Sequence, residues 1–182
     1  MTELKQVVRR AANGDGEAAG SLFDTYYPRV FRYAAARLAN PADAEDVAAE
    51  TFARLLRELG RFKWRGAGFE AWLFRIAANL VVDHIRARTR ERVEEDPSED
   101  TAATAALTPE ESLMTAEMTR ELKVMLARLP AEQQEVLVLR FAGGLDTQET
   151  GAVMGKKPNA VRQLQFRALE SMRRMMREEA AT

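Results

Sequence analysis

One stretch of the chain breaks an otherwise continuous helical rhythm, and it also divides the charge. From Glu91 to about Leu107, apolar residues stop recurring at three- and four-residue spacings. The stretch is acidic, rich in Ala, Thr and Ser, and contains Pro97, a composition that cannot build a packed face. Residues 1–90 carry 15 Lys and Arg against 11 Asp and Glu, residues 91–121 carry 2 against 10, and residues 122–182 carry 10 against 7. A net charge of −1 over 182 residues therefore hides two basic modules around an acidic connector. We expect one module over 1–90, a flexible acidic linker over 91–111 and a second module over 112–182. Two basic modules hint at nucleic acid.

Both modules are expected to be all-α, because no stretch alternates apolar and polar residues over strand length. Leu22, Tyr26, Val30, Ala34 and Leu38 share a helical stripe that Pro28 should kink or divide. Asn40-Pro41 is a helix start, an N-cap residue followed by proline, with Asp43, Glu45 and Asp46 at the positive end of the dipole. Val47, Thr51, Leu55 and Leu59 line that helix, Phe52 and Leu56 lie beside them, and Gly60 ends it. A third helix should run from about Phe69 to Arg88, with Phe69, Leu73, Ile76 and Leu80 inward and a basic end of Arg86, Arg88 and Arg90. Thr108-Pro109 opens the helix carrying Leu122, Met125, Leu126 and Leu129. Pro130 opens the next, with Val136, Leu137 and Leu139, stopped by Gly143-Gly144. No repeat of fixed period is present.

The last two helical stretches, Thr147–Met154 and Pro158–Glu178, fit a helix-turn-helix. Gly151 sits where two helices cross closely, although glycine there weakens the helix by up to ~1 kcal/mol relative to alanine. Gly155 follows where the turn needs a left-handed residue. Lys157, Asn159, Arg162 and Gln163 are residue types that bond base edges in a major groove. Residues 156–177 hold seven Lys and Arg and one acid, which suits phosphates. The plainer alternative is a helical hairpin with a solvated basic face.

In the first module, residues 62–74 gather five of the thirteen aromatics: Phe62, Trp64, Phe69, Trp72 and Phe74. Arg61, Lys63, Arg65 and Arg75 are interleaved, with Gly66 and Gly68 in the middle. Aromatics beside arginines form a platform for unpaired bases, worth ~1–3 kcal/mol per stacked base. Phe69 and Leu73 fit the core stripe; Phe62 and Trp64 could serve either the core or the platform. The face of Asp43, Asp46 and Glu50 is either solvated or a docking edge for a basic partner.

Several classes are set aside. Without cysteine there is no disulfide or thiolate ligand, which fits a reducing cytoplasm. His84 is the single histidine, read as a surface or interhelix residue, so no metal site and no cofactor are expected. No nucleophile–base pair or phosphate-cradling glycine loop points to an enzyme or a small-molecule substrate. The N-terminus lacks the apolar core of a signal peptide, and no run approaches the ~20 apolar residues of a membrane span.

Taken together, these segments resemble an extracytoplasmic-function sigma factor of the bacterial sigma-70 family. The first module is similar to region two in "LFDTYYPRVFRYAAARL", "NPADAEDVAAETFARLL" and "RFKWRGAGFEAWLFRIAANLVVDHIRARTR". The second is similar to region four in "LARLPAEQQEVLVLRFAGGLDTQETGAVMGKKPNAVRQLQFRALESMRR". The resemblance implies that the protein docks on core RNA polymerase, on its clamp helices and flap, and directs promoter recognition, melting and initiation. Asp46, Glu50 and Phe52 match the docking helix. Phe62, Lys63, Trp64 and Arg65 match the loop that captures a flipped base of the minus-ten element. Asn79 and Asp83 match positions reading that element, with Arg86 and Arg88 on phosphates. At the minus-thirty-five element it implies base contacts from Arg162 and Gln163, with Arg140, Lys156, Lys157 and Arg167 on the backbone and Asn159 within the same DNA-binding set. An anti-sigma factor is the further partner implied. Ala49 stands where the family commonly has glutamine, and "NAVRQLQFRAL" departs from the commoner "GTVKSRLHRAR". The rivals are a stand-alone helix-turn-helix regulator that binds duplex DNA without polymerase, and a helical adaptor that binds only protein.

Overall fold

The computed structural model describes residues 3–64, 66–94 and 113–180. Among them are eight α-helices and no strand: α1 (Glu3–Ala12), α2 (Gly16–Arg37), α3 (Pro41–Glu58), α4 (Gly68–Glu94), α5 (Leu113–Ala127), α6 (Ala131–Leu137), α7 (Thr147–Met154) and α8 (Pro158–Ala180). Arg65 and most of the expected linker, residues 95–111, lie outside the described residues, as does the Thr108-Pro109 helix start.

Local chemistry sets most of the boundaries. The Asn40 side chain accepts from the Ala42 N–H at 3.0 Å, with Pro41 opening α3. Asp15 caps α2 through the Ala18 N–H at 3.1 Å. Three details go beyond the expectations. Pro28 does not divide α2, which runs unbroken through it. Burial of Tyr26, Val30, Tyr33 and Ala34 on both sides of the proline outweighs the ~3 kcal/mol that an interior proline costs. The helix after Pro130 is not uniform; beyond Leu137 it widens into a π-helical turn, Val138–Ala142. The basic end of α4 does not stop at Arg90 but continues to Glu94. Helix α1 is an addition, since the N-terminus reads simply as polar and basic. Its Val8 and Ala11 are buried against the bundle.

Helices α1 to α4 form one bundle and α5 to α8 a second unit. The second unit has its own small core of Met125, Leu129, Val136, Leu137, Val161, Ala168 and Met172. The two units are not apart. Val138, Leu139 and Leu145 belong to the core of the first bundle, together with Tyr33, Leu73 and Phe74. The approach is tight: a β-carbon at Gly143 would lie 2.9 Å from the Phe74 ring and 2.8 Å from the Leu139 carbonyl.

Polar contacts ring this seam. Arg29 donates from Nε to the Gly143 carbonyl at 2.9 Å and from Nη2 to that of Gly144 at 3.2 Å. The same guanidinium grips Glu70 at 3.2 and 3.0 Å and lies over the rings of Tyr26 and Phe74. The Tyr33 hydroxyl donates to Glu135 at 2.7 Å, and Arg37 lies 3.2 Å from the same carboxylate. Arg75 reaches the Ala152 carbonyl at 2.7 Å. Replacing Arg29 with Ala removes the cation from a half-buried carboxylate, which keeps the Tyr26 hydroxyl at 3.1 Å, and unpairs two carbonyls. We expect it to cost about 2–3 kcal/mol in urea unfolding; a loss below 0.5 kcal/mol, the range of ordinary surface changes, contradicts the clamp.

Candidate nucleic-acid and polymerase interface

The helix-turn-helix is built by its caps. Asp146 accepts from the Glu149 N–H, and Glu149 accepts from the Asp146 N–H, both at 2.7 Å, a reciprocal capping box. Gly155 ends α7 in the left-handed region at φ 66°. Gly151 is not simply a weak helix residue. A β-carbon there would lie 2.5 Å from the Lys156 carbonyl, where the turn folds back on α7. Gly151→Ala therefore loses more by displacing backbone than it gains in helix propensity. We expect a net destabilisation of about 1–3 kcal/mol in chemical unfolding; a stabilised variant rules this packing out.

The turn aims α8. Val161 and Ala168 are fully buried and Met172 nearly so, which sends Asn159, Arg162, Gln163 and Arg167 to solvent with Lys157 ahead of them. Arg162 donates to the Asn159 side chain at 2.8 Å, so the two are presented as a pair. Two expected phosphate contacts are placed differently. Lys156 pairs with Glu132 at 2.7 Å. That carboxylate is well exposed, so the pair is worth at most ~1 kcal/mol and can be given up. Arg140 is half-buried and points inward, donating to the Leu145 carbonyl and to Gln165. It braces the turn before α7.

The aromatic segment forms a layered cluster. Phe69 is buried. Phe62 packs against Trp72 at 4.8 Å and stands edge-on to Phe69 at 5.7 Å and to Trp64 at 5.2 Å. Trp64 is the outermost ring, 37% exposed. The Lys5 ammonium lies 5.3 Å from its centre, and Lys63 beside it is exposed. Gly66 and Gly68, both at positive φ, carry the chain from this ring into α4. The alternatives for Phe62 and Trp64 thus resolve in space: Phe62 is the bed and Trp64 the accessible face. An open cleft beside Trp64 is lined also by Asp146, Gln148 and Glu149 at the α7 start.

On α4, Asn79, Asp83 and Arg86 are all exposed at four- and three-residue spacing, hence on one face. Arg88 points away from it, bonding Asp43 at 2.9 Å, where His84 Nε2 also approaches to 3.0 Å. Burial pushes the Asp43 carboxyl up, but the bonds from Arg88 and His84 outweigh it and hold it below its ordinary value. On α3, Asp46 is exposed, and Glu50 is held by Arg54 at 3.0 Å and Arg57 at 2.9 Å. Those hydrogen bonds lower the Glu50 pKa. Phe52 lies on the other side of the helix, 4% exposed, under Phe23 and Tyr27. What the sequence reading missed is exposed apolar surface in the same region: Leu56 on α3 and Phe23 on α2. The signal was there for Phe23, which lies off the buried Leu22–Tyr26–Val30 stripe. Among the described residues no group of three or more His, Asp or Glu side chains could hold a metal ion, and no helix is long and apolar enough to cross a membrane.

A presented arginine–asparagine pair on a helix-turn-helix, joined to a helical bundle with an accessible tryptophan on a basic loop, points to a DNA-binding transcription protein. Residues 22–91 match Sigma-70 region 2, and residues 119–172 match Sigma-70, region 4. The chain is 39% identical to the ECF RNA polymerase sigma factor BldN of Streptomyces coelicolor, over 97% of this chain and 67% of that one. It is 37% identical to ShbA of Streptomyces griseus, over 94% of each, and 35% identical to SigD of Mycobacterium tuberculosis, over 93% of this chain and 82% of that one. The fold is shared with CnrH, solved with the cytosolic domain of CnrY (TM-score 0.71, 23% identity, 94% of this chain and 96% of that one). It is shared also with RpoE of Bartonella quintana, solved with the anti-sigma factor NepR (0.72, 22%, 87% and 96%). The chain belongs to the extracytoplasmic-function sigma factors of the sigma-70 family. It binds core RNA polymerase and promoter DNA and directs transcription initiation.

Glu149 offers a check on the α7 end of the seam. Burial raises its pKa above 4.5; the bond from the Asp146 N–H opposes the rise and nearby Glu70 adds to it. A raised folded-state value means that folding takes up a proton. Wild-type stability relative to Glu149→Gln should therefore increase as pH falls from 7 towards 4.5, and the gain is lost as pH rises through the raised value. Parallel urea titrations across that range test this; a difference independent of pH rules out the buried carboxylate.

Proposed function

We propose that the two modules divide promoter recognition by chemistry. Arg162, Asn159 and Gln163 read base edges of the minus-thirty-five element in the major groove, and Lys157 and Arg167 hold its phosphates. Trp64, backed by Phe62 and flanked by Lys63 and Arg65, stacks on a base extruded from the minus-ten element. Asn79, Asp83 and Arg86 follow the same strand along α4. Asp46 and Glu50, with exposed Leu56, form the docking edge for the polymerase clamp helices, and Phe52 anchors α3 to α2 from its buried side. The second module meets the flap. The first module extends over 1–90, continued by the end of α4, and the second over 112–182, with the acidic linker of 91–111 between them. The protein makes no bonds itself; it positions DNA for the polymerase, in the cytoplasm. An anti-sigma factor restrains it, as the NepR complex of the Bartonella quintana factor of like fold suggests.

The observation that carries this reading is Trp64, a tryptophan held out to solvent on a bed of aromatics and beside lysines. Stacking at ~1–3 kcal/mol per base is comparable to the few kcal/mol needed to extrude one. The test is run-off transcription with the full chain and bacterial core polymerase on a promoter library, followed by two variants. Trp64→Ala should slow strand opening, followed by permanganate reactivity, more than closed-complex formation. Arg162→Ala should weaken use of the upstream element by ~1–3 kcal/mol. Equal defects in both steps for Trp64→Ala count against the stacking role. Tight duplex binding without any association with core polymerase favours the stand-alone regulator.

A further inference from the structure

Helix α1 lies outside the residues that match region 2, which begin at 22. Its apolar face is spent on the bundle: Val8 and Ala11 are buried, and Leu4 and Val7 pack beside them. The rest of its surface is divided by charge. Glu3, the one acid of the helix, falls seven residues before Arg10 and hence on the same flank. Arg10 is engaged by Asp15 at 2.7 Å and Glu17 at 3.1 Å. Lys5 and Arg9 stand on the other flank, four residues and ~6 Å of helix apart. Both are exposed, and among the described residues neither is paired with a carboxylate. The Lys5 ammonium lies 5.3 Å from the centre of the Trp64 ring, so the unpaired cations flank the stacking platform. An aromatic face attracts an ammonium but offers it no acceptor oxygen. A base stacked on Trp64 brings such oxygens with it, since each nucleotide of a strand carries a phosphate on either side of its sugar.

We propose that α1 is a further DNA-contacting element, in which Lys5 and Arg9 neutralise neighbouring phosphates of the unpaired strand beside the base held by Trp64. The assignment rests on the reading of Trp64 as the stacking platform. One helical turn between the two cations is close to the separation of neighbouring phosphates along a single strand. Stacking alone does not offset the repulsion of a strand's own charges, and a basic track beside the ring does. Asp146 and Glu149 line the same cleft from the second unit. In the docked arrangement they repel a phosphate there, so the track opens to DNA when that unit is engaged upstream. Holoenzyme is therefore the form that tests it.

Reconstituted holoenzyme containing the full chain first selects its promoter from a randomised library. Oligonucleotides of each strand across the selected minus-ten element are then bound, and the tighter strand is titrated with salt. Each phosphate neutralised on a single strand contributes ~0.7 to the slope of log affinity against log salt. Lys5→Gln and Arg9→Gln should each lower the slope by about that amount. The double variant should then lose about sevenfold less affinity than the wild type between ~50 and ~200 mM salt. Arg10→Gln, the same change of charge on the other flank, should leave the slope as it is. A methylphosphonate, which removes the charge of one phosphate, should weaken the wild type at a position beside the stacked base and leave the double variant unaffected there. An unchanged slope in the double variant, or an equal change in Arg10→Gln, overturns the proposal. So does an affinity lost equally at every salt concentration, which makes Lys5 a brace for the Trp64 ring. If Trp64→Ala weakens the strand while the double variant keeps the wild-type slope, α1 alone is reassigned and the platform stands. If Trp64→Ala binds the strand as the wild type does, the platform reading fails and the proposal with it.

Discussion

Arg29 is the contact on which the arrangement of the molecule depends. One guanidinium bonds Glu70 of α4, two carbonyls at the turn that leads into α7, and the faces of two aromatic rings. It ties α2 to both halves of the chain. A lysine could not replace it, because the planar fork alone serves a carboxylate and two carbonyls in fixed directions. The glycines at 143 and 144 make this possible. Gly143 has no room for a β-carbon beside Phe74, and Gly144 turns at φ 68° directly beside the guanidinium. A counterweight lies on the same seam: Glu149 and Glu70 repel each other, which adds to the rise in the Glu149 pKa. The seam is a balance of opposed charges set over an apolar base.

That balance bears on how a bipartite promoter can be read. In the proposed reading stacking belongs to the Trp64 loop and hydrogen bonding to α8, so the two chemistries sit on different units. If those units read separated DNA elements at once, they part along the seam. Parting uncovers Val138, Leu139 and Leu145, at about 1.5–3 kcal/mol for each buried side chain. It also frees Tyr33, Glu135 and Arg37 from one another. Several kcal/mol must therefore come from polymerase and DNA together. On this reading the seam makes promoter reading depend on the polymerase that sets the spacing.

Much of the fold was legible because it is written in caps. Asn40-Pro41, the Asp146–Glu149 box and Gly155 mark helix ends through bonds between near neighbours, which a sequence displays directly. What was not legible depends on distant partners. Pro28 reads as a point where the helix could kink or divide, and that it does not divide is seen only with Tyr26, Val30 and Tyr33 buried around it. Phe52 reads as part of a docking face until Phe23 and Tyr27 are found above it. Gly151 reads as a lost alanine until the Lys156 carbonyl is found 2.5 Å from where the methyl would go.

The same distinction explains why counting cations locates a nucleic-acid surface only coarsely. Of the cations matched to DNA contacts, Arg88 is bound to Asp43, Lys156 to Glu132, and Arg140 to a carbonyl and an amide within its own module. A phosphate must compete with each of those partners. Arg162 is different, since its partner Asn159 is neutral and lies on the same exposed face. Lys157 and Arg167 flank that pair in solvent. Lys157 stands directly before the first turn of α8, where the helix dipole also favours anions. The field that matters is thus set by which cations lack an acidic neighbour, a property that depends on the fold and that the total of seven in residues 156–177 conceals.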